Sequence, residues 1–293
     1  MTESWADSFA GIDDEAWQTC REIWKAREQG LCHEDDTFGH LTLTQKTSDT
    51  FEAGYEGWCI RIHAEQATIE VLKRPDDLEG CVPEFYIHER IGLSFLRILR
   101  GCVLLHASCI STPSGCIALM APASVGKSTL CGAMIDFPGI QIVAEDTLPV
   151  VRNHGENLAI PATSYLAMRH HWLDHLEGVL DILAATPKHY LLLKSHKCAD
   201  KPGPLKALVM LNPDKPGPVQ DIIPDAHIYS ALLRQQMSIS HSPESFKSFQ
   251  FRSIVSILNG TPIYRMPVDL RDGEHIQQAA SYLWDFCQNR VKM

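Results

Sequence analysis

The sequence predicts an α/β protein whose core begins with strands and ends with helices. Apolar runs in CVLLHASCI and CIALMA, separated by the turn STPSG, are typical of two buried strands joined by a hairpin. Two further apolar runs, at 141–144 and 205–211, predict additional buried strands. A chain of 293 residues with 45% hydrophobic composition is long enough to bury such a core. Apolar residues at helical spacing predict three later helices, at 225–237, 242–258 and 272–290.

The residues before this core predict a smaller region of mostly β structure. A helix is expected over 17–26, and alternating apolar and polar residues at 40–44 and 58–71 predict strands. Helical spacing over 83–100 predicts a helix that leads into the core. We therefore expect a small N-terminal region over 1–83, serving partner recognition or oligomerisation, and a catalytic domain over 84–293.

Composition and charge exclude several classes of protein. The formal net charge of −10 repels the phosphate backbone of nucleic acids, and no cluster of lysine and arginine with aromatic residues reverses it locally. The first residues are acidic, unlike a signal sequence, and no run approaches the roughly 18 apolar residues of a membrane-spanning helix. The 10 cysteines are scattered singly, without CxxC pairs. We therefore expect a cytoplasmic protein with reduced thiols and with neither nucleic acid nor membrane as a partner.

The segment over 121–129, APASVGKST, has the pattern of a phosphate-binding loop between a strand and a helix. Backbone N–H groups of such a loop, and the positive end of the helix after it, bind phosphate. Gly126 allows a close approach of the backbone, Lys127 places a cation near the β and γ phosphates, and Ser128 offers a hydroxyl to magnesium. We expect ATP and Mg²⁺ as cofactors. The predicted nucleotide-binding residues are Ala123, Ser124, Val125, Gly126, Lys127, Ser128 and Thr129.

Glu145 and Asp146 follow the predicted strand at 141–144, a short distance after Lys127. So short a link predicts that this strand lies beside the strand that precedes the 121–129 segment. Two carboxylates at that position can hold magnesium and accept a proton from an attacking hydroxyl, as phosphoryl transfer requires. Ser128, Glu145 and Asp146 are therefore the predicted metal ligands. An ordinary acidic turn at the end of a strand is the alternative interpretation.

His106 interrupts an otherwise apolar run that is expected to lie near the 121–129 segment. A titratable ring there can orient the phosphoryl acceptor or the carboxylate pair. A core histidine with satisfied hydrogen bonds fits the same pattern, and the residues alone do not decide between the two.

Taken together, LLHAS, the hairpin, GKST and VAEDTLPV resemble the catalytic core of HPr kinase/phosphorylase and its relatives, whose phosphate-loop architecture is shared with phosphoenolpyruvate carboxykinase. The resemblance implies that Lys127 and Ser128 serve the nucleotide and the metal. It implies that Glu145 and Asp146 supply magnesium binding and the catalytic base. His106 matches the family's histidine before the loop, which favours a functional role for it. The catalytic residues implied are Asp146, Glu145, His106 and Lys127.

The resemblance is strongest over 101–151 and has departures. Ala121 and Ser124 stand where the family usually has glycine, and the pair Glu145 and Asp146 is usually two aspartates. The sequence also lacks the carboxy-terminal signature of authentic HPr kinases. It resembles more the shorter HPr-kinase-like proteins encoded among bacterial genes for ribosomally made peptides, including lasso peptides, where such kinases phosphorylate a serine of the precursor. The resemblance therefore implies a peptide or small protein as substrate, and it also implies a homo-oligomer.

The predicted function is an ATP-dependent kinase that transfers the γ-phosphoryl to a hydroxyl. Two alternatives stay open, because a phosphate-binding loop serves many proteins. One is a nucleotide-responsive binding module without transfer, and the other is a small-molecule kinase. Arg265 either faces the nucleotide or simply ends a strand, and the sequence does not decide.

Other residue groups predict no site. His171 and His175 share one helical face but have no further metal ligands nearby in the sequence. The run from Cys32 to Asp36 contains many ligand atoms, but adjacent residues point in different directions, and an exposed acidic loop is expected. Lys188 and Lys194 are interpreted as surface lysines, with transition-state stabilisation as the alternative.

Overall fold

The computed structural model describes residues 2–4, 9, 12, 15–35, 41–76, 84–163, 165–168, 179–185, 189–233, 236–237 and 239–290. The structure is mixed α/β, and the chain divides into two compact units. The first comprises Met1–Leu104, Val151–His154 and Met237–Val255, and the second comprises Leu105–Val150, Gly155–Gln236 and Ser256–Met293. Within the described ranges, no helix has the length and apolar character needed to cross a membrane.

An antiparallel sheet is the main feature of the first unit. Its strands follow the order β1-β6-β5-β4-β3-β2. Buried and half-buried residues alternate along β4 and β5, because successive side chains of a strand point to opposite faces. The alternation along β5 is the signal that predicted a strand within 58–71, whereas β4 was not predicted from the sequence. The elements of this part of the chain are β1 (Thr2–Ser4), α1 (Glu15–Lys25), β2 (Gly30–Asp35), β3 (Leu41–Gln45), β4 (Thr50–Tyr55), β5 (Trp58–His63) and β6 (Thr68–Lys73).

A helical segment covers one face of this sheet. It consists of α2 (Glu84–Tyr86), a π-helical turn (Ile87–Gly92) and α3 (Leu93–Leu99). A Cβ on Gly92 would lie 2.9 Å from Ile60 Cδ1 and 3.0 Å from Ile69 Cδ1, so the helix backbone touches the sheet. The first unit therefore extends to Leu104, whereas the sequence predicts a boundary at residue 83. Helical spacing reveals a buried face, but it does not reveal which strands cover that face.

The aromatic core of the first unit joins distant parts of the chain. The Trp24 ring on α1 lies 5.2 Å from the Phe51 ring and 4.9 Å from the Phe246 ring, measured between centroids. All three side chains are buried. The predicted helix at 17–26 is therefore present, and its apolar face packs into this core.

The remaining elements occupy the chain from residue 103 onward. They are β7 (Val103–Leu105), β8 (Ala107–Thr112), β9 (Gly115–Met120), α4 (Lys127–Met134), β10 (Gln141–Ala144), β11 (Leu148–Asn153), β12 (Glu156–Ala159), β13 (Tyr165–Met168), β14 (Val179–Ala185), β15 (His189–Leu193), β16 (Gly203–Pro213), β17 (Gln220–Asp221), α5 (Ala226–Leu233), β18 (Gln236–Met237), α6 (Glu244–Gly260), β19 (Ile263–Val268) and α7 (Gly273–Asn289).

The central sheet of the second unit is mixed. Its strands β10, β8, β9 and β16 are neighbours in that order, and β19 also pairs with β16. β9, β16 and β19 are parallel, whereas β8 is antiparallel to both β9 and β10. The prediction that the strand at 141–144 lies beside the strand before the 121–129 segment is therefore wrong. The β8–β9 hairpin already occupies that edge of β9, so β10 pairs with β8 instead.

Two helices pack on this sheet and complete the second core. Leu119 on β9, Leu130 on α4 and Leu283 on α7 belong to one buried apolar cluster. All six residues of β9 are buried, as expected for a strand covered on both faces. The predicted helices at 242–258 and 272–290 correspond to α6 and α7, whereas the one at 225–237 ends at Leu233.

Candidate functional site

The 121–129 segment runs from β9 through a tight loop into α4. Ser124 and Gly126 have positive φ angles of 66° and 108°. Gly126 is the residue before the first turn of α4, and a Cβ there would lie 2.5 Å from Leu270 Cδ1. Glycine is required at this position both for its backbone conformation and for the close approach of Leu270. Ala121 is buried, so the residue that departs from the family pattern is part of the core.

Lys127 is the first residue of α4, and its ammonium group points back into the site. The residue is only 5% exposed. Its Nζ donates to the Ala121 carbonyl oxygen at 2.9 Å and lies 3.1 Å from His106 Nε2. A buried cation needs such partners, because removing it from water without them costs on the order of several kcal/mol, even after the protein relaxes around it. The lysine is therefore held beside the loop.

Glu145 and Asp146 follow β10 and form an unusual turn. Asp146 has a φ angle of 62°, and the Thr147 backbone N–H donates to the Glu145 carbonyl oxygen at 2.7 Å. These two features define a γ-turn centred on Asp146, a conformation that costs about 1–3 kcal/mol for a residue other than glycine. In an extended strand the two side chains would point to opposite sides. The turn therefore lets neighbouring carboxylates serve one site.

The two carboxylates have different partners. Glu145 is buried, and its Oε1 accepts a hydrogen bond of 2.7 Å from the Ser128 hydroxyl. Asp146 is half-buried, and its Oδ1 lies 2.8 Å from His106 Nε2. Burial, and after it the negative charge of Glu145, raises the pKa of the Cys131 thiol on α4, so that this neighbour stays protonated.

His106 lies in the bend between β7 and β8, and it links the two charged groups. Its Nε2 is 3.1 Å from Lys127 Nζ and 2.8 Å from Asp146 Oδ1. About a third of the side chain is exposed, with a side-chain value of 32%. His106 therefore contacts two residues of the predicted site, whereas a core histidine would form hydrogen bonds only with other core residues. The strand predicted across CVLLHASCI is broken at this residue into β7 and β8.

These residues adjoin a cavity of about 1000 Å³. Of the predicted nucleotide-binding residues, all seven line it, and Asp146 lines it as well. Glu145 and His106 are not wall residues, and they reach the cavity through Ser128 and Asp146. Ser128 and Glu145 offer two adjacent oxygen ligands of the kind that Mg²⁺ prefers.

Sequence reasoning missed three other parts of the cavity wall. Ala167 and Met168 come from β13, while Pro213–Lys215 and Val268–Arg271 follow or end β16 and β19. A usable signal existed for the last two, because ligands of α/β sheets bind outside the carboxyl ends of parallel strands. Arg265 is exposed on β19 and is not among the residues that line this cavity.

The other residue groups weighed in the sequence have mixed outcomes. His171, His175 and Lys188 lie outside the described residues, and Lys194 is exposed. The predicted acidic loop from Cys32 to Asp36 is instead strand β2 as far as Asp35, and Cys32 and His33 are buried. The acidic residues Glu34 and Asp35 lie at the more exposed end of this strand.

Comparison with known proteins gives distant structural neighbours but no match to a family model or to a curated sequence. The chain is similar in structure to the HPr(Ser) kinase/phosphatase from Coxiella burnetii, with 12% sequence identity and a TM-score of 0.32. The similarity covers 63% of this chain and 96% of that one. Because this similarity is low, we infer the chemistry of the cavity from the geometry of its own residues.

Proposed function

We propose that this protein is an ATP-dependent kinase that transfers the γ-phosphoryl group to the serine hydroxyl of a peptide or small protein. One observation carries the proposal. Lys127, the Ser128–Glu145 pair and the His106–Asp146 pair all adjoin the same cavity. The Ser128 hydroxyl lies 2.7 Å from Glu145 Oε1, and His106 Nε2 lies 2.8 Å from Asp146 Oδ1 and 3.1 Å from Lys127 Nζ. Phosphoryl transfer needs a cation that binds phosphate, oxygen ligands for a metal and a proton acceptor.

Each group has a proposed role in binding. The backbone N–H groups of the 121–129 segment and Lys127 hold the β and γ phosphates, and phosphate oxygens replace Ala121 as the partner of the ammonium group. Ser128 and Glu145 hold Mg²⁺ through their neighbouring oxygens. When bound, the metal neutralises charge on the β and γ oxygens.

Asp146 is proposed to accept the proton of the acceptor hydroxyl. The hydroxyl oxygen forms a bond to the γ-phosphorus, the bond from that phosphorus to the bridging β,γ oxygen breaks, and ADP leaves. The proton moves to the Asp146 carboxylate as the new bond forms. His106 keeps this carboxylate in position through the contact of 2.8 Å. The strained γ-turn at Asp146 supports this assignment, because strained backbone occurs preferentially at functional sites.

The test is transfer of labelled phosphate by the purified full chain. γ-Labelled ATP and Mg²⁺ are incubated with candidate peptides, each paired with a peptide in which the serine is alanine. Label on the serine peptide alone is the expected result, and it should be lost with Asp146→Asn. ATP binding without any label would favour the nucleotide-responsive binding module. Label on a metabolite would favour the small-molecule kinase.

The setting of this activity is part of the proposal. We propose a cytoplasmic enzyme of ribosomal-peptide biosynthesis, of the lasso-peptide type, that assembles as a homo-oligomer. Light scattering across working concentrations tests the assembly, and a monomer at all of them would contradict it. Co-purification with a precursor peptide encoded by a neighbouring gene tests the substrate.

A further inference from the structure

The cavity has two chemically different sides, and the strand order separates them. β8 and β10 lie on one side of β9, and β16 and β19 lie on the other. His106, Glu145 and Asp146 adjoin β8 and β10, and we call them the acidic side. The loops that follow β16 and β19 supply Lys215 and Arg271 together with Asp214, Asp269 and Leu270, and we call this the basic side after its two cations. The 121–129 segment follows β9, so it lies between the two sides.

Arg271 is held in a fixed orientation on the basic side. Its Nε donates to Asp269 Oδ1 at 2.8 Å, and its Nη2 donates to Asp269 Oδ2 at 2.6 Å. This two-point contact fixes the plane of the guanidinium. Hydrogen bonding from Arg271 lowers the pKa of Asp269 to about 2, so the pair stays charged near neutral pH.

The guanidinium is nevertheless open to a ligand. The Arg271 side chain is 88% exposed, whereas that of Asp269 is 11% exposed. Within the part of the chain that the structure describes, Arg271 Nη1 makes no hydrogen bond. An oriented, planar cation on a cavity wall can stack on an aromatic ring or donate to an oxygen.

Leu270 places this group next to the predicted phosphate site. Its side chain lies against Gly126, where a Cβ would be only 2.5 Å from Leu270 Cδ1. The basic side therefore begins directly at the 121–129 segment and offers an aliphatic surface followed by the guanidinium.

The direction of a bound nucleotide follows from the acidic side. In the proposed function, on which this inference rests, the γ-phosphoryl group must face the metal ligands and Asp146. A triphosphate that lies along the 121–129 segment with this polarity directs its other end away from Asp146. We propose that the nucleoside end of ATP lies on the basic side, where Leu270 contacts the ribose and the fixed guanidinium of Arg271 stacks on the base.

The test separates the nucleoside from the phosphates by using two probes. The full chain is titrated by calorimetry with ATP and with inorganic tripolyphosphate, both in the presence of Mg²⁺. Arg271→Ala should weaken ATP binding about fivefold, the loss expected for one stacked guanidinium, and should leave tripolyphosphate binding unchanged. Arg265→Ala is the matched control. Arg265 is exposed on β19, the strand that precedes Arg271, and it does not line the cavity.

Each other outcome has a definite meaning. An equal loss of affinity for both probes with Arg271→Ala would overturn the assignment, because the arginine would then contact phosphate. Unchanged ATP binding with Arg271→Ala would overturn it as well. If the unaltered chain bound neither probe, the proposed nucleotide site itself would fail, and the first two outcomes are distinguishable from this one.

Discussion

The two units treat buried polar side chains in different ways. In the first unit, Gln45 is buried, donates to the Trp24 carbonyl oxygen at 2.9 Å and accepts from Arg27 at 3.2 Å. In the second, buried Lys127 contacts the half-buried His106, which also contacts Asp146, and this chain adjoins a cavity. Buried polar groups of the first kind anchor the fold. Those of the second kind have partners that a ligand can replace, and these indicate a site.

Backbone strain differs in the same way. In the first unit, positive φ angles occur at Glu56 and Gly57, in the tight turn between β4 and β5. In the second unit, positive φ angles occur at Gly139 and other glycines away from the cavity, and also at Ser124, Gly126 and Asp146, which line the cavity. Strain at a hairpin turn reverses the chain. Strain at the cavity orients the groups that would bind and react.

The largest expected effect is on turnover, and it tests whether the acidic pair takes part in the reaction or only supports the fold. Asp146→Asn should lower the rate of phosphoryl transfer about 10³-fold, because the amide cannot accept the proton. ATP affinity should change much less, since the proton moves only in the transition state. Rates are measured with labelled ATP, and affinities by calorimetry.

A matched carboxylate of the first unit is the control for this prediction. Glu52 pairs with Lys46 and Arg61 on the sheet, and Glu52→Gln should leave turnover unchanged. If Asp146→Asn retained turnover while Glu145→Gln abolished it, the roles of the two carboxylates would be reversed.

The next effect concerns nucleotide affinity. Lys127→Met should weaken ATP binding about 50-fold, because a charged hydrogen-bond donor to phosphate is lost while the aliphatic part of the side chain is kept. Lys206→Met is the control, since Lys206 is exposed on β16 and pairs with Glu156. Calorimetry measures both, and equal ATP affinity in the two variants would contradict the proposed role of Lys127.

The sequence was sufficient for most of the elements and for the local part of the site. Strands β3 and β5, helix α1 and the loop between β9 and α4 each follow from periodicity or from a local pattern. Lys127 and Ser128 belong to that loop pattern, which is why those residues were predicted. Local patterns therefore predict the residues that act within a few positions of one another.

Strand order and the far wall of the cavity could not be obtained in this way. A short link between α4 and β10 limits the distance that the chain can span, but not whether β8 intervenes. Leu270 becomes a neighbour of Gly126, and Asp269 and Arg271 come to line the same cavity, only through the parallel pairing of β9, β16 and β19. The γ-turn at Asp146 was also hidden, because no glycine marks the positive φ angle.

A smaller effect tests the difference in backbone strain. Asp146→Gly should raise the free energy of unfolding by about 1 kcal/mol relative to Asp146→Ala, because glycine adopts the positive φ angle without strain. Both variants should lose phosphoryl transfer. Unfolding in urea measures the stabilities.

The first unit provides the matched comparison for strain. Glu56 is exposed and has a φ angle of 45°, so Glu56→Gly should raise stability relative to Glu56→Ala without loss of transfer. Equal free energies of unfolding for Asp146→Gly and Asp146→Ala would show that the γ-turn at Asp146 stores no strain. Loss of transfer in Glu56→Gly would contradict the separation of structural from functional strain.

The smallest expected effect concerns pH and a buried histidine of the first unit. His33 is buried, and its Nδ1 accepts a hydrogen bond of 3.2 Å from the Ser240 backbone N–H. Burial lowers the pKa of His33, Asp35 opposes this shift, and His241 adds to it. In the unfolded chain the pKa of histidine is about 6.5, so the unfolded state binds more protons as the pH falls below that value.

The stabilising contribution of neutral His33 should therefore be complete above pH 6.5, about the unfolded pKa, and should be lost as the pH falls through the lower folded pKa. Urea unfolding of the full chain between about pH 8 and pH 5 measures this loss. His33→Gln should reduce the pH dependence, because glutamine can accept the Ser240 hydrogen bond without taking up a proton. His63→Gln keeps His33 and should retain the dependence. If His33→Gln retained it too, another group of the chain would be the one that titrates, and His33 would not belong with the closed polar contacts that distinguish the first unit from the second.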